Sequence, residues 1–190
     1  MATVLIVYYS RSGNTEEMAK AVEEGIKSER VRAIRKKVNR ATLKDLQKAD
    51  GIILGSPNYY GTMASEMKAF LDRSVQLHGK LEGKVGAAFA SGAGLGGGVE
   101  TTVLDLIKSL LIHGMIIQGD PHGSPYGAVS IGRPNPGAKR ECVKLGEKVA
   151  GLVRRLHVGR RQDDRRRGGD AGDQRRRSEV PESSIGERRR

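Results

Sequence analysis

Thr3 to Tyr9 is an unbroken run of β-branched and apolar side chains ending in two tyrosines, the pattern of a strand buried on both faces. Past the polar stretch Ser10 to Asn14, the residues Met18, Val22 and Ile26 recur at helical spacing, with Asn14 as candidate N-cap and Glu17 three residues on. The alternation then repeats. Val31 to Val38 is a short, very basic strand candidate, Thr42 and Asp45 have the spacing of a capping box opening a helix through Ala49, and Gly51 to Ser56 is another buried strand. Met63, Met67, Phe70, Leu71 and Ser74 mark a third helix, Lys84 to Ser91 a fourth strand, and Val103, Leu106, Ile107, Leu110 and Leu111 a fourth helix. Met115 to Gln118 gives a short fifth strand, and residues 119–134 show no regular pattern. Asn135 and Pro136 then supply a cap and a first-turn proline for a last helix with Cys142, Leu145, Val149, Leu152, Val153 and Leu156 on one face. Five strands alternating with five helices imply an α/β, doubly wound parallel sheet with right-handed crossovers.

Composition divides the chain unevenly. The last 32 residues, 159–190, hold 11 Arg, no Lys, 7 acidic side chains and only Ala171, Val180 and Ile185 as apolar residues. Such a segment buries too little apolar surface to offset the entropy of ordering it, so a disordered arginine-rich tail is expected after a domain of residues 1–158. That body keeps a net charge of +8 of the total +12. A lone cysteine, Cys142, excludes an internal disulfide and any four-cysteine zinc or iron–sulfur site in this chain. The four histidines lack metal-ligand spacing, and no metal is expected. Neither a membrane span nor a secretory leader is legible, which leads to the expectation of a soluble, cytoplasmic protein. Arg30, Arg32, Arg35, Lys36, Lys37 and Arg40 crowd the second strand, where charge blocks edge-to-edge pairing; no specific nucleic acid is expected as a partner.

In sheets of this kind ligands bind outside the carboxyl ends of the strands, so the loops after the first, third and fourth strands carry the candidate chemistry. The first is Ser10, Arg11, Ser12, Gly13, Asn14 and Thr15: three hydroxyls, an amide and a run of backbone N–H groups at a helix start. This suits a phosphate, because the helix N-terminus presents unsatisfied donors and partial positive charge; the same residues also suit an ordinary polar turn. The second, Pro57, Asn58, Tyr59, Tyr60 and Gly61, places two tyrosines where a planar aromatic ligand would stack, or where a surface or subunit contact would lie. The third, from Ser91 to Gly98, contains Gly92, Gly94 and Gly97 in a G-x-G-x-x-G pattern with Asp120 downstream, which meets the dinucleotide fingerprint as written. Five glycines in seven places make that match easy to obtain, and the first loop already holds a phosphate cradle. A flexible loop edging a flat ligand is the better reading.

Ile6 to Thr15 resembles the flavodoxin signature for the FMN phosphate, and the chain is similar to the WrbA-type NAD(P)H:quinone oxidoreductases from about Thr3 to His157. The most specific pieces are Gly55 to Met63, Phe70 to Asp72, Gly96 to Thr101, His113 to Met115, and Ser124 to Gly127. The resemblance implies a flavodoxin-like sheet of five strands in the order 2-1-3-4-5. It implies that Ser10, Arg11, Ser12, Gly13, Asn14 and Thr15 hold the FMN phosphate. Pro57, Asn58, Tyr59, Tyr60 and Gly61, with Ser91, Gly92, Ala93, Gly94, Gly96 and Gly97, would flank the isoalloxazine ring. It brings His113 near that ring as the candidate catalytic residue, from a neighbouring subunit's side of the site, in a homodimer or homotetramer. Three stretches depart from the family: the segments before the third strand and before Ser124 are shorter, and the glycine loop is one residue longer.

The resemblance thus implies an oxidoreductase passing two electrons from NAD(P)H through FMN to quinones, donor and acceptor using one pocket in turn. Two alternatives belong to other classes: a flavodoxin that only carries electrons between proteins, and a flavin-free regulatory or nucleic-acid-binding module. The basic body argues against the first, since such carriers present an acidic docking face.

Overall fold

The structure, a computed structural model, describes residues 1–177, with side chains through residue 156. It divides into two compact units, Met1–Arg155 and Leu156–Arg190. The expected tail of residues 159–190 falls where side chains, and from residue 178 the backbone too, lie outside the described residues.

Among the described residues the strands are β1 (Thr3–Tyr8), β2 (Arg32–Lys37), β3 (Gly51–Tyr59), β4 (Thr62–Met63), β5 (Val85–Gly92), β6 (Ile116–Ile117) and β7 (Val129–Ile131). The helices are α1 (Asn14–Ser28), α2 (Leu43–Lys48), α3 (Ser65–Arg73), α4 (Val99–Ile112) and α5 (Pro136–Arg177). The main path is β2-β1-β3-β5-β6 and wholly parallel, which is the expected 2-1-3-4-5 order. Two short strands correct the expected count of five. β4 turns back antiparallel on the end of β3, and β7 runs parallel to the end of β5. The fifth position is therefore shared: β6 pairs with Val85 and Gly86, and β7 with Ala90, Ser91 and Gly92. The residues read as patternless include β7 because a three-residue strand is too short to show a period.

Strand alternation sorts the core into two layers. Leu5, Val7, Ile52, Leu54, Ala88 and Ala90 face one layer with Met67 and Phe70 of α3 and Val103 and Leu106 of α4. The intervening Val4, Ile6, Ile53 and Phe89 are equally buried. On their side α1 and α5 cross at close range: a Cβ on Gly25 would overlap the Val143 carbonyl, and one on Gly146 the Val22 carbonyl. Two local signals hold as read. Thr42 and Asp45 form both arms of the capping box, and Asn135 Oδ1 accepts from the Ala138 N–H at 2.9 Å to open α5. Asn14, expected as N-cap, is instead the first residue of α1; Gly13 caps it with φ 96°, a left-handed conformation glycine adopts without steric cost. β2 is the sheet edge, and three of its four charges are paired: Arg35 with Glu23 at 2.6 Å, Lys36 with Asp45 at 2.8 Å, Lys37 with Glu16 at 3.2 Å.

Candidate functional site

Parallel strands deliver their following loops to one edge, so the ends of β1, β3 and β5 bring the three candidate loops together. At the first, the Gly13 N–H donates to Ser10 Oγ at 3.1 Å, folding the loop over the start of α1. No side chain caps that helix, and nothing lies within 4 Å of where a Gly13 Cβ would be. The uncapped first-turn N–H groups, with exposed Arg11 and Ser12 beside them, fit a phosphate. Thr15 differs from its neighbours. It is buried, and its hydroxyl lies 2.8 Å from that of Ser91, tying the first loop to the end of β5.

The other two loops are braced against each other. Asn58 Nδ2 donates to the Gly97 carbonyl at 2.5 Å, while its Oδ1 accepts from Thr102 at 3.2 Å. Thr101 Oγ1 donates to the Gly61 carbonyl at 2.8 Å, and Thr62 Oγ1 to Asp105 at 2.6 Å. Gly61 and Gly98 approach so closely that a Cβ on Gly98 would sit 2.9 Å from the Gly61 Cα. Between β3 and β4, Tyr60 (φ 49°) and Gly61 (φ 84°) make the two-residue turn with both angles positive that matches strand twist. Tyr60 is fully exposed. Tyr59 is partly exposed and meets Tyr9 edge to face, ring centroids 6.5 Å apart. Hydrogen bonding to Glu66, then partial burial, pushes the Tyr9 phenol up. It therefore stays neutral at physiological pH.

The structure thus brings together residues 10–15, 57–61 and 91–97. Within this group Pro57 and Ser91 pair across the sheet, and Gly92 belongs to β5, accepting from the Gly132 N–H at 2.7 Å; Ala93, Gly94, Gly96 and Gly97 form the loop proper. His113 is not brought there within the chain. It caps the far end of α4, whose 14 residues separate it from the glycine loop, about 21 Å along a helix. Ser74 Oγ donates to the Leu71 carbonyl at 2.6 Å and so accepts from His113 Nε2 at 2.8 Å. His113 Nδ1 is left as a buried acceptor with no hydrogen-bond partner, and burial, then nearby His78, lowers the pKa of the ring. Asp120, the acidic residue of the dinucleotide pattern, pairs with Lys148 of α5 at 2.8 Å instead. The residues that sequence reasoning missed are Thr101 and Thr102 as loop ties, and Glu66 as the partner of Tyr9. The two threonines in the first turn of α4 were a visible signal; Glu66 had none. Among the described residues no group of three or more His, Cys, Asp or Glu could hold a metal ion, and no helix is long and apolar enough to cross a membrane.

Residues 24–124 match the family described as NADPH-dependent FMN reductase. A protein named NAD(P)H dehydrogenase (quinone) from Sinorhizobium fredii is 39% identical over 166 residues, covering 69% of this chain and 83% of the relative. Another of that name, from Paraburkholderia phymatum, is 36% identical over 197 residues, covering 82% and 99%. A solved flavodoxin, WrbA-like protein from Agrobacterium tumefaciens matches with a TM-score of 0.72 at 26% identity, covering 82% of this chain and 99% of that one. With the parallel 2-1-3-4-5 path and the uncapped loop after β1 already in place, these matches settle the family: the chain belongs to the NADPH-dependent FMN reductases, on the WrbA-type branch of the flavodoxin-like proteins.

Proposed function

We propose that the protein is an FMN-dependent NAD(P)H:quinone oxidoreductase in which donor and acceptor occupy one pocket in turn. The observation that carries this reading is the uncapped, open phosphate cradle at the start of α1, set beside two mutually braced loops in a chain of this family. When bound, FMN supplies the two-electron chemistry between a nicotinamide and a quinone.

The chain's own residues supply position and charge. Backbone N–H groups of Ser12, Asn14 and Thr15, the hydroxyls of Ser10 and Ser12, and Arg11 would hold the phosphate dianion. Thr15 acts one step back, locking the cradle to Ser91. Asn58 fixes the spacing of the loops that would flank the ring, so that backbone donors of Ala93, Gly94, Gly96 and Gly97 meet negative charge without reorganising. Tyr59 and Tyr60 bound the pocket. Tyr9, kept neutral beside Glu66, serves as a donor and not as a base. His113 lies at the far end of α4 from its own chain's loops, and the family resemblance supports a part for it across a subunit boundary, in a homodimer or homotetramer. Reduced nicotinamide nucleotides are cytoplasmic solutes, and the reading carries a cytoplasmic location with it.

Two measurements test this. The protein should bind FMN about one to one and discriminate against riboflavin, which lacks the phosphate; equal binding of the two would remove the cradle assignment. Steady-state rates with NAD(P)H and a benzoquinone should give parallel double-reciprocal lines, and anaerobic NAD(P)H should bleach the flavin rapidly, with colour returning on adding quinone. Slow bleaching by both NADH and NADPH would instead favour a flavodoxin-type electron carrier on the same fold.

A further inference from the structure

The glycine loop contains one large side chain. Residues 93–98 are Ala93, four glycines and Leu95, and Leu95 is 92% exposed. Its position is defined by the backbone. The Gly97 N–H donates to the Gly94 carbonyl at 3.4 Å and Gly96 takes φ 71°, the pattern of a type II turn with Leu95 at its first central position. The turn is anchored at its base by Asn58 on the Gly97 carbonyl and by the contact of Gly98 with Gly61. Tyr60 rises from the opposing turn immediately beside that contact, and its left-handed backbone is one that an aromatic residue adopts only at an energetic cost. Neither side chain contributes burial to the fold. Two apolar groups are therefore held in water, on turns clamped to each other, at the mouth of the candidate site.

We propose that Leu95 is a specificity-determining residue which, with Tyr60, forms an apolar wall against the acceptor ring and selects alkyl-substituted quinones over unsubstituted benzoquinone. This rests on the quinone-reductase reading above. The physical basis is that ring methyl groups lying on Leu95 leave water together with its isobutyl side chain, whereas an unsubstituted ring edge gains little from the same contact.

The test compares FMN-loaded wild-type protein with Leu95→Gly and Leu95→Phe, using tetramethyl-1,4-benzoquinone and 1,4-benzoquinone as probes. Binding to the oxidised holoprotein is followed by fluorescence quenching with no nicotinamide present, and kcat/KM is measured separately with NAD(P)H. Leu95→Gly should weaken the tetramethyl compound about 10-fold and the unsubstituted one by no more than about 2-fold, the scale at which a hydrophobic wall discriminates methyl groups. Leu95→Phe should preserve or increase the selectivity, and FMN affinity should be unchanged in both variants. Equal weakening of both quinones, no change in either, or a parallel loss of FMN would overturn the proposal. If wild-type protein binds quinones selectively but shows no NAD(P)H-driven turnover, the enzymatic reading falls while the Leu95 wall stands on the binding data.

Discussion

Two buried polar pairs show how single residues carry consequences away from their own position. Thr15 and Ser91 are 76 residues apart in sequence and share a hydrogen bond with almost no solvent contact. Removing one hydroxyl strands the other, so Thr15→Val and Ser91→Ala should each cost about 1–3 kcal/mol in urea unfolding, and the double variant distinctly less than their sum. Strict additivity would mean that the pair does not form. His113 concerns protons. Burial lowers its pKa from the ordinary 6.5, so the unfolded chain binds a proton at higher pH than the folded one does. Stability should be full above about pH 6.5 and decline as pH falls below it, until the folded ring also protonates. His113→Gln, which keeps a donor for Ser74, should flatten that part of the stability profile measured between pH 5 and 7. An unchanged slope would exclude His113 as its source.

At the scale of elements, the hairpin joining β3 and β4 trades stability for placement. Its two-residue turn favours Asn or Gly where Tyr60 stands, because a side chain branching from a left-handed residue crowds the backbone. Tyr60→Asn should therefore raise stability by about 1 kcal/mol in thermal or urea unfolding while reducing turnover with quinones; a loss of stability would show that the tyrosine ring is packed after all. The same logic separates the elements that local sequence announced from those it did not. The capping box of α2 and the Asn135 and Pro136 start of α5 are legible because each is completed within four residues. β4 and β7 are not, because strands of two and three residues exist only through the neighbour with which they pair.

For the whole molecule, charge and composition give the clearest expectation. With three apolar residues in the last 32, truncation after Val158 should leave melting temperature and FMN affinity nearly unchanged. A large loss of either would make the arginine-rich segment part of the folded protein. The remaining body stays basic, in keeping with an enzyme that meets anionic nucleotides more than with a carrier that docks through an acidic face.

The alternating βα order, the buried character of β1, β3 and β5, and the polar loop from Ser10 that leads into α1 were all determined by sequence alone. Periodicity, turn chemistry and helix capping act over a few residues and leave their mark in consecutive positions. Tertiary structure alone decided the rest. It split the fifth strand position between β6 and β7, turned Thr15 toward Ser91, and clamped Asn58 and Gly61 to the start of α4. It also set His113 at the opposite end of that helix from the loops of its own chain. Each of these depends on which segments distant in sequence meet in space, and that is set by the packing of the sheet and its two helical layers, with no trace in local spacing.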